Sequence, residues 1–117
     1  MVVVSYPEEG FANMLGQLIE QKVKEEKKAE IAKKMNGKLF LEIREIGVGA
    51  MVEFSGESIR VSNERPEKVT ALISVADYNT LTMLLTSGIL KQLKFIISGK
   101  LKIKNLSFVR KFGAILS

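Results

Sequence analysis

The sequence contains no cysteine, no histidine and no tryptophan, and Asp77 is its only aspartate. Without cysteine there are no disulfides and no thiolate metal sites, a composition that suits a reducing compartment. Without histidine there is no Ser-His-Asp or Cys-His catalysis, no histidine-ligated zinc and no side chain that ordinarily titrates near neutrality. A mechanism that needs two aspartates is excluded as well. Among the remaining acid–base residues, Glu42 and Glu53 fall on the polar side of their segments, and Tyr6 and Tyr78 have no evident base partner. No enzyme activity, metal or cofactor is therefore expected.

Long apolar runs are also missing. The longest uncharged stretch, residues 78–90, is too short to cross a bilayer, which takes roughly 20 apolar residues. Met1-Val2-Val3-Val4 lacks the basic flank and apolar length of a secretory signal. Ile115-Leu116-Ser117 is not a peroxisomal address. The expectation is a cytoplasmic protein.

What is present is an ordinary globular composition, 117 residues with 46% hydrophobic and 26% charged side chains. That length suits one domain over residues 1–117. The net charge is +5, and it is unevenly placed. Residues 1–37 carry six Lys and six Glu, whereas residues 91–117 carry seven basic side chains and no acid. Such a basic end can attract phosphate groups, an anionic membrane surface or nucleic acid, or can simply be a solvated face.

Residues 8–35 read as helix in two pieces. Phe11, Met14, Leu15, Leu18 and Ile19 share one face, a charged stretch with a bend near residues 24–28 follows, and Ile31, Ala32 and Met35 resume the stripe. Asn36-Gly37 reads as the helix stop. Leu39, Leu41 and Ile43, then Val48, Ala50, Val52 and Phe54, then Ile59 and Val61, alternate as a three-strand meander, with Ser55-Gly56 as a turn. Val69, Ala71 and Ile73 give a fourth strand. Ser74 with Asp77 fits a capping box before a helix striped by Tyr78, Leu81, Leu84 and Leu85. Residues 89–97 fit either a strand or a helix. Leu101 and Ile103, between Lys100, Lys102 and Lys104, form a half-buried strand. Asn105 or Ser107 caps a last helix with Phe108, Phe112, Ile115 and Leu116 on one face. The fold class is α+β: a five-stranded, mostly antiparallel sheet covered on one face by helices.

Two stretches in that order resemble the sterol-carrier-protein-two family. One is Ile31-Ala32-Lys33-Lys34-Met35-Asn36-Gly37-Lys38-Leu39-Phe40-Leu41-Glu42-Ile43, similar to the family's lysine-rich helix end, glycine turn and apolar first strand. The other is Ser98-Gly99-Lys100-Leu101-Lys102-Ile103-Lys104-Asn105-Leu106, similar to its Gly-Lys-Leu-Lys-Ile strand, turn and closing helix. Val69-Thr70, Ser74 and Ser87-Gly88 match intervening features. The chain departs from the family where Lys104 runs straight into Asn105 without a glycine, and Asn tolerates the left-handed conformation such a turn needs. Arg110 stands where the family prefers an apolar residue.

The resemblance implies non-catalytic binding and carriage of an apolar lipid (fatty acid, fatty acyl-CoA, sterol or phospholipid) in a tunnel between sheet and helices. It also implies a short helix within residues 89–97. The lining would be Leu41, Ile43, Val52, Phe54, Val69, Ile73, Leu101 and Ile103 from strands. Leu81, Leu84, Leu85, Phe95, Phe108 and Phe112 would complete it. Alternation alone does not tell a lined cavity from a filled core. Lys100, Lys102 and Lys104 would meet membrane phosphates, and Arg110 or Lys111 a carboxylate or CoA phosphate at the tunnel mouth. Two alternatives compete. One is a nucleic-acid-binding module using the basic C-terminal strand and helix; Phe95, Phe108 and Phe112 fall on the apolar side there, which leaves no stacking surface. The other is an accessory or dimerisation subunit of a lipid-metabolising enzyme.

Overall fold

The computed structural model describes residues 2–87 and 99–116. In chain order these form β1 (Val3–Ser5), α1 (Phe11–Lys22), α2 (Glu26–Lys33), β2 (Asn36–Ile43), β3 (Val48–Ser55), β4 (Ser58–Ser62), β5 (Ala71–Val75), α3 (Tyr78–Ser87), β6 (Leu101–Lys104) and α4 (Leu106–Leu116). The residues 89–97 expected to hold a short helix lie outside the described residues.

The strands make one sheet in the order β1-β4-β3-β2-β5-β6. Pairings β2–β3, β3–β4 and β5–β6 are antiparallel, and β1–β4 and β2–β5 are parallel. The α+β class, the mostly antiparallel pairing and the helical cover on one face hold as expected. The sheet has six strands rather than five, because Val3–Ser5 adds a parallel edge strand to β4. Three successive valines carry that signal, being β-branched residues that favour a pleated surface.

Alternation sorts the side chains onto two faces. Leu39, Leu41 and Ile43 of β2 lie beside Val52, Ala50 and Val48 of β3 and beside Ala71, Ile73 and Val75 of β5. This row is apolar across the sheet, and the helices cover it. The opposite face holds Lys38, Glu42, Glu53, Arg60, Lys102 and Lys104, but also the directly opposed pair Phe40 and Met51. Both are buried. Parallel strands β4 and β5 are separated by β3 and β2, so residues 63–70 must cross the sheet, and they cross on this face. Arg65 lies 4.8 Å from the Phe40 ring centroid and pairs with Glu42 at 3.2 Å. The crossover thus covers apolar surface that no described helix covers.

Two helix boundaries differ from the sequence expectation. Asn36 and Gly37 do not stop α2; they already pair with Ser55 and Phe54, so strand pairing claims them. Ser74 does not cap α3. It is the fourth residue of β5, which pairs with both β2 and β6 as far as Val75. The cap is Asp77, whose Oδ1 accepts from the Thr80 backbone N–H and hydroxyl, each at 2.8 Å. The expected turn at Asn105 is present, with φ 63°. Its Oδ1 accepts from the Phe108 N–H at 3.2 Å, and its Nδ2 donates to the Thr70 carbonyl at 3.1 Å. One side chain therefore caps α4 and ties it to the end of the crossover.

The start of α1 has no local side-chain cap at Gly10. Asn63, at the far end of β4, takes that role: Oδ1 accepts from the Ala12 N–H and Nδ2 donates to the Glu9 carbonyl, both at 3.2 Å. Helix caps contribute about 1 kcal/mol. Asn63→Ala is expected to lower unfolding free energy by about that amount, with faster hydrogen exchange confined to the first turn of α1; chemical denaturation and exchange mass spectrometry measure both.

Candidate functional site

The helices divide the inner face of the sheet between them. α1 packs over β3, β4 and β1, while α3 packs over β5. The seam between these two helices falls over β2, and it does not close. A recess of about 190 Å³ opens there, lined by Phe11, Met14, Leu15 and Leu18 from α1, Leu41 from β2, and Tyr78, Leu81 and Thr82 from α3.

Each wall has a local cause. Leu15 and Leu18 share one face of α1 with Phe11 by helical spacing. Leu41 points inward by strand alternation and is 1% exposed. Tyr78 and Leu81 lie one turn apart on α3, whose start is fixed by the Asp77 cap. The Thr82 hydroxyl donates to the Tyr78 carbonyl at 3.0 Å, so it is satisfied within its own helix. At the surface, Met14 is 50% and Tyr78 53% exposed.

Among the described residues that line the recess, none is charged. These described walls can take hydrocarbon by the hydrophobic effect. Sealed and empty, a void of this size would cost on the order of 4–5 kcal/mol. An opening to the surface reduces that cost and gives a guest a way in.

Of the expected lining, Leu41 and Leu81 reach the recess. Ile43, Val52, Phe54, Ile73, Leu84, Leu101, Phe108 and Phe112 are buried in the continuous core, with Ile103 half-buried against it. Phe54 meets Phe108 and Phe112 edge to face, at 5.8 and 6.2 Å between centroids. Val69 is half-buried in the crossover, before β5 begins. Phe95 and the Leu85 side chain lie outside the described residues. Phe11, Met14, Leu15, Leu18, Tyr78 and Thr82 complete the recess although the sequence did not single them out as lining. Their apolar stripes are plain in the sequence, but the gap between two helices distant in sequence is not.

The basic side chains stand apart from the recess. Lys102 and Lys104 are exposed on the face opposite the helices, in register with Ser74 and Leu72. Lys100, Arg110 and Lys111 are exposed, and Arg110 does not line the recess. Glu42 and Glu53, on that same opposite face, are four positions apart along the β2–β3 ladder, and Glu53 pairs with Arg60 at 3.4 Å. Tyr6 does have a carboxylate partner, donating its hydroxyl to Glu20 at 2.8 Å. That hydrogen bond holds the phenol pKa above its ordinary value, the wrong direction for a nucleophile or base.

A sequence profile of the SCP-2 sterol transfer family matches residues 15–117. The chain belongs to that family. Similar solved structures share its fold at low identity. The structure described as "UbiJ-SCP2 Ubiquinone synthesis protein" is 17% identical, covers 90% of each chain and has a TM-score of 0.70. Sterol carrier protein domain 2 of Helicoverpa armigera is 17% identical, over 97% of this chain and 92% of that one, with a TM-score of 0.67. Sterol carrier protein 2 from Yarrowia lipolytica, in its apo form, is 18% identical, over 95% and 94%, with a TM-score of 0.64. No curated protein matches the sequence. Membership of this family implies lipid binding or transfer. Among the described residues no helix is long and apolar enough to cross a membrane.

The α3 cap makes one wall of the recess sensitive to acid. The Thr80 backbone N–H, then the Thr80 hydroxyl, hold the Asp77 carboxyl below its ordinary pKa. A depressed carboxyl contributes stability that is fully present above the unfolded value, about 3.9, and lost as pH falls through the folded one. Amides in the first turn of α3 are expected to lose protection on that acid descent. In Asp77→Ala they are expected to be unprotected at neutral pH already and to change little with acid, as hydrogen exchange followed by NMR will show.

Proposed function

We propose that this protein binds and carries an apolar lipid without catalysis, and that the α1–α3 recess admits the hydrocarbon. The observation that carries this reading is the recess over Leu41, whose described lining is uncharged, with Met14 and Tyr78 exposed at its rim. Family membership supports it independently. A chain entering there would continue along the inner sheet face, where the core side chains Ile43, Ile73, Leu84 and Leu101 would have to yield. The fatty acid, fatty acyl-CoA, sterol and phospholipid classes all supply such a chain, and a cytoplasmic location belongs to the same reading.

Each buried methylene contributes roughly 0.8 kcal/mol, close to a fourfold gain in affinity. Dissociation constants for saturated fatty acids are expected to fall by about that factor per added methylene until the accessible space is filled. Leu18→Trp, which puts an indole into the recess from a half-buried position, is expected to weaken binding tenfold or more while the unliganded protein melts no earlier. Fluorescent-lipid displacement and thermal melts measure this. Affinity independent of chain length would sink the reading.

The exposed basic groups supply long-range attraction rather than a head-group pocket. The sheet stands between the recess and Lys102 and Lys104, so a membrane drawn to them would be held electrostatically, at roughly 1 kcal/mol per basic residue near an anionic surface. Replacing Lys100, Lys102 and Lys104 by Glu is expected to abolish low-salt association with anionic vesicles and to leave fatty-acid affinity unchanged. Sedimentation with neutral and anionic vesicles separates the two effects. The likeness to a structure described as a ubiquinone synthesis protein favours a second reading, an accessory subunit that presents lipid to an enzyme.

A further inference from the structure

The mouth of the α1–α3 recess lies at one end of the sheet, and the strand register shows which elements gather there. β2 and β5 run in parallel to Ile43 and Val75, and β6 starts beside Val75 at Leu101. β3 starts at Val48, beside Ile43. β4 ends at Ser62, and Asn63 then holds the first turn of α1. α3 opens at Tyr78, just past the end of β5. The β2–β3 turn is pinned to this joint. The Arg44 N–H donates to the Val75 carbonyl at 2.9 Å, and the Glu45 N–H to the Ala76 carbonyl at 3.0 Å. Gly47, with φ 66°, lets its own N–H return to the Ile43 carbonyl at 3.0 Å.

Ile46 stands in that turn and is 57% exposed. Tight turns are built by Gly, Pro, Asn, Asp and Ser, and an isoleucine adds nothing to one. Among the described residues six large apolar side chains are exposed, and three of them, Ile46, Met14 and Tyr78, stand at this one end. Met14 and Tyr78 also line the recess. Arg44 and Lys100 are here too, together with Glu8, Glu9, Glu45 and Glu64, all exposed. The Arg44 guanidinium already donates to the Gly99 carbonyl at 2.7 Å. These charges leave no cationic excess, so whatever covers this end is held by apolar contact.

We propose that this end docks on a bilayer of zwitterionic lipid, with Ile46, Met14 and Tyr78 entering the interface so that a chain passes directly between membrane and recess. The inference rests on the lipid-binding reading and adds to it the surface from which the lipid is taken. Apolar lipid resides in bilayers rather than in water, and a mouth flanked by apolar side chains meets that source when those side chains enter it. Tyrosine, apolar in its body and polar at its tip, suits the head-group level. The small number of anchors argues against a protein partner, because a stable protein interface takes roughly 20–30 residues a side around a packed core. A fluid bilayer instead moulds itself around separate side chains. Lys102 and Lys104 stand on the outer face of the sheet, so their attraction for anionic surfaces is separate from this contact.

The sequence has no tryptophan, so Ile46→Trp supplies a single reporter. When phosphatidylcholine vesicles are added to unliganded Ile46→Trp, its emission is expected to shift to the blue and to be quenched by brominated lipid. Wild type loaded with a fluorescent fatty acid is expected to deliver it at a rate that rises in proportion to vesicle concentration and changes little with salt. Ile46→Asp is expected to slow that delivery tenfold or more, with unchanged fatty-acid affinity and circular dichroism. Leu106→Asp, at an exposed apolar position on the opposite end of the sheet, is expected to leave delivery unchanged. Tryptophan emission that ignores vesicles, a delivery rate independent of vesicle concentration, or one indifferent to Ile46→Asp overturns the proposal. A blue shift that grows with protein concentration alone also overturns it, by assigning the patch to a second copy of the chain. The tryptophan readout uses unliganded protein, so a failure of docking is distinguishable from a failure of lipid binding.

Discussion

Everything in this structure follows from one apolar sheet face that has to be kept from water. Leu39, Leu41, Ile43, Val52, Ala71, Ile73, Val75 and Leu101 form a continuous hydrophobic layer. A strand layer of this kind is stable only when a second layer covers it. Four described helices provide that cover, and each is committed by connectivity to part of the sheet. α1 and α2 precede β2, α3 follows β5, and α4 closes the chain. The cover is therefore assembled from pieces remote in sequence, and one joint that stays open is the seam of α1 and α3 above β2. The recess is that joint, and an incompletely sealed hydrophobic layer is what a hydrocarbon guest requires.

The two faces of the sheet have been given different covers. Helices shield the inner face, whereas the outer face is crossed by residues 63–70, with Arg65 laid over Phe40 and paired to Glu42. Side chains of that connection and its flanks also stitch the layers together. Asn63 caps α1 from the end of β4, and Asn105 joins α4 to Thr70. Both asparagines act on helices by hydrogen-bonding groups that those helices leave unsatisfied. Their loss would be felt in the helical layer although each sits in a loop.

Much of the fold was legible because its signals are local. Alternation along Leu39–Ile43 and Val48–Phe54 set the inner face, the break between α1 and α2 was visible as a charged interval, and Asn105 was recognisable as a left-handed turn. Local signals failed where pairing decided. Ser74 looks like a cap but is held in β5 by strands on both sides, and Asn36-Gly37 looks like a stop but is drawn into β2. The edge strand β1 is not legible in the sequence, because three residues give too short a period to read and its parallel partner is more than fifty residues away. The site was legible only in part for a related reason. Leu41 and Leu81 point inward by pattern, yet whether Phe11, Leu15 and Leu18 meet α3 or stand off from it depends on how two helices are placed over different strands. Among the phenylalanines expected as lining, Phe54 meets both Phe108 and Phe112 edge to face in the core, a contact between elements far apart in sequence.

The account stands on the recess over Leu41 being where hydrocarbon enters. Methyl-resolved NMR during titration with a long-chain fatty acid addresses this directly, because Leu15, Leu18, Leu41 and Leu81 each report from the walls. The account predicts saturable shifts largest at these four residues, together with contacts from ligand methylenes to their methyl groups. Saturating ligand that leaves all four unmoved, or moves only residues elsewhere, would contradict it.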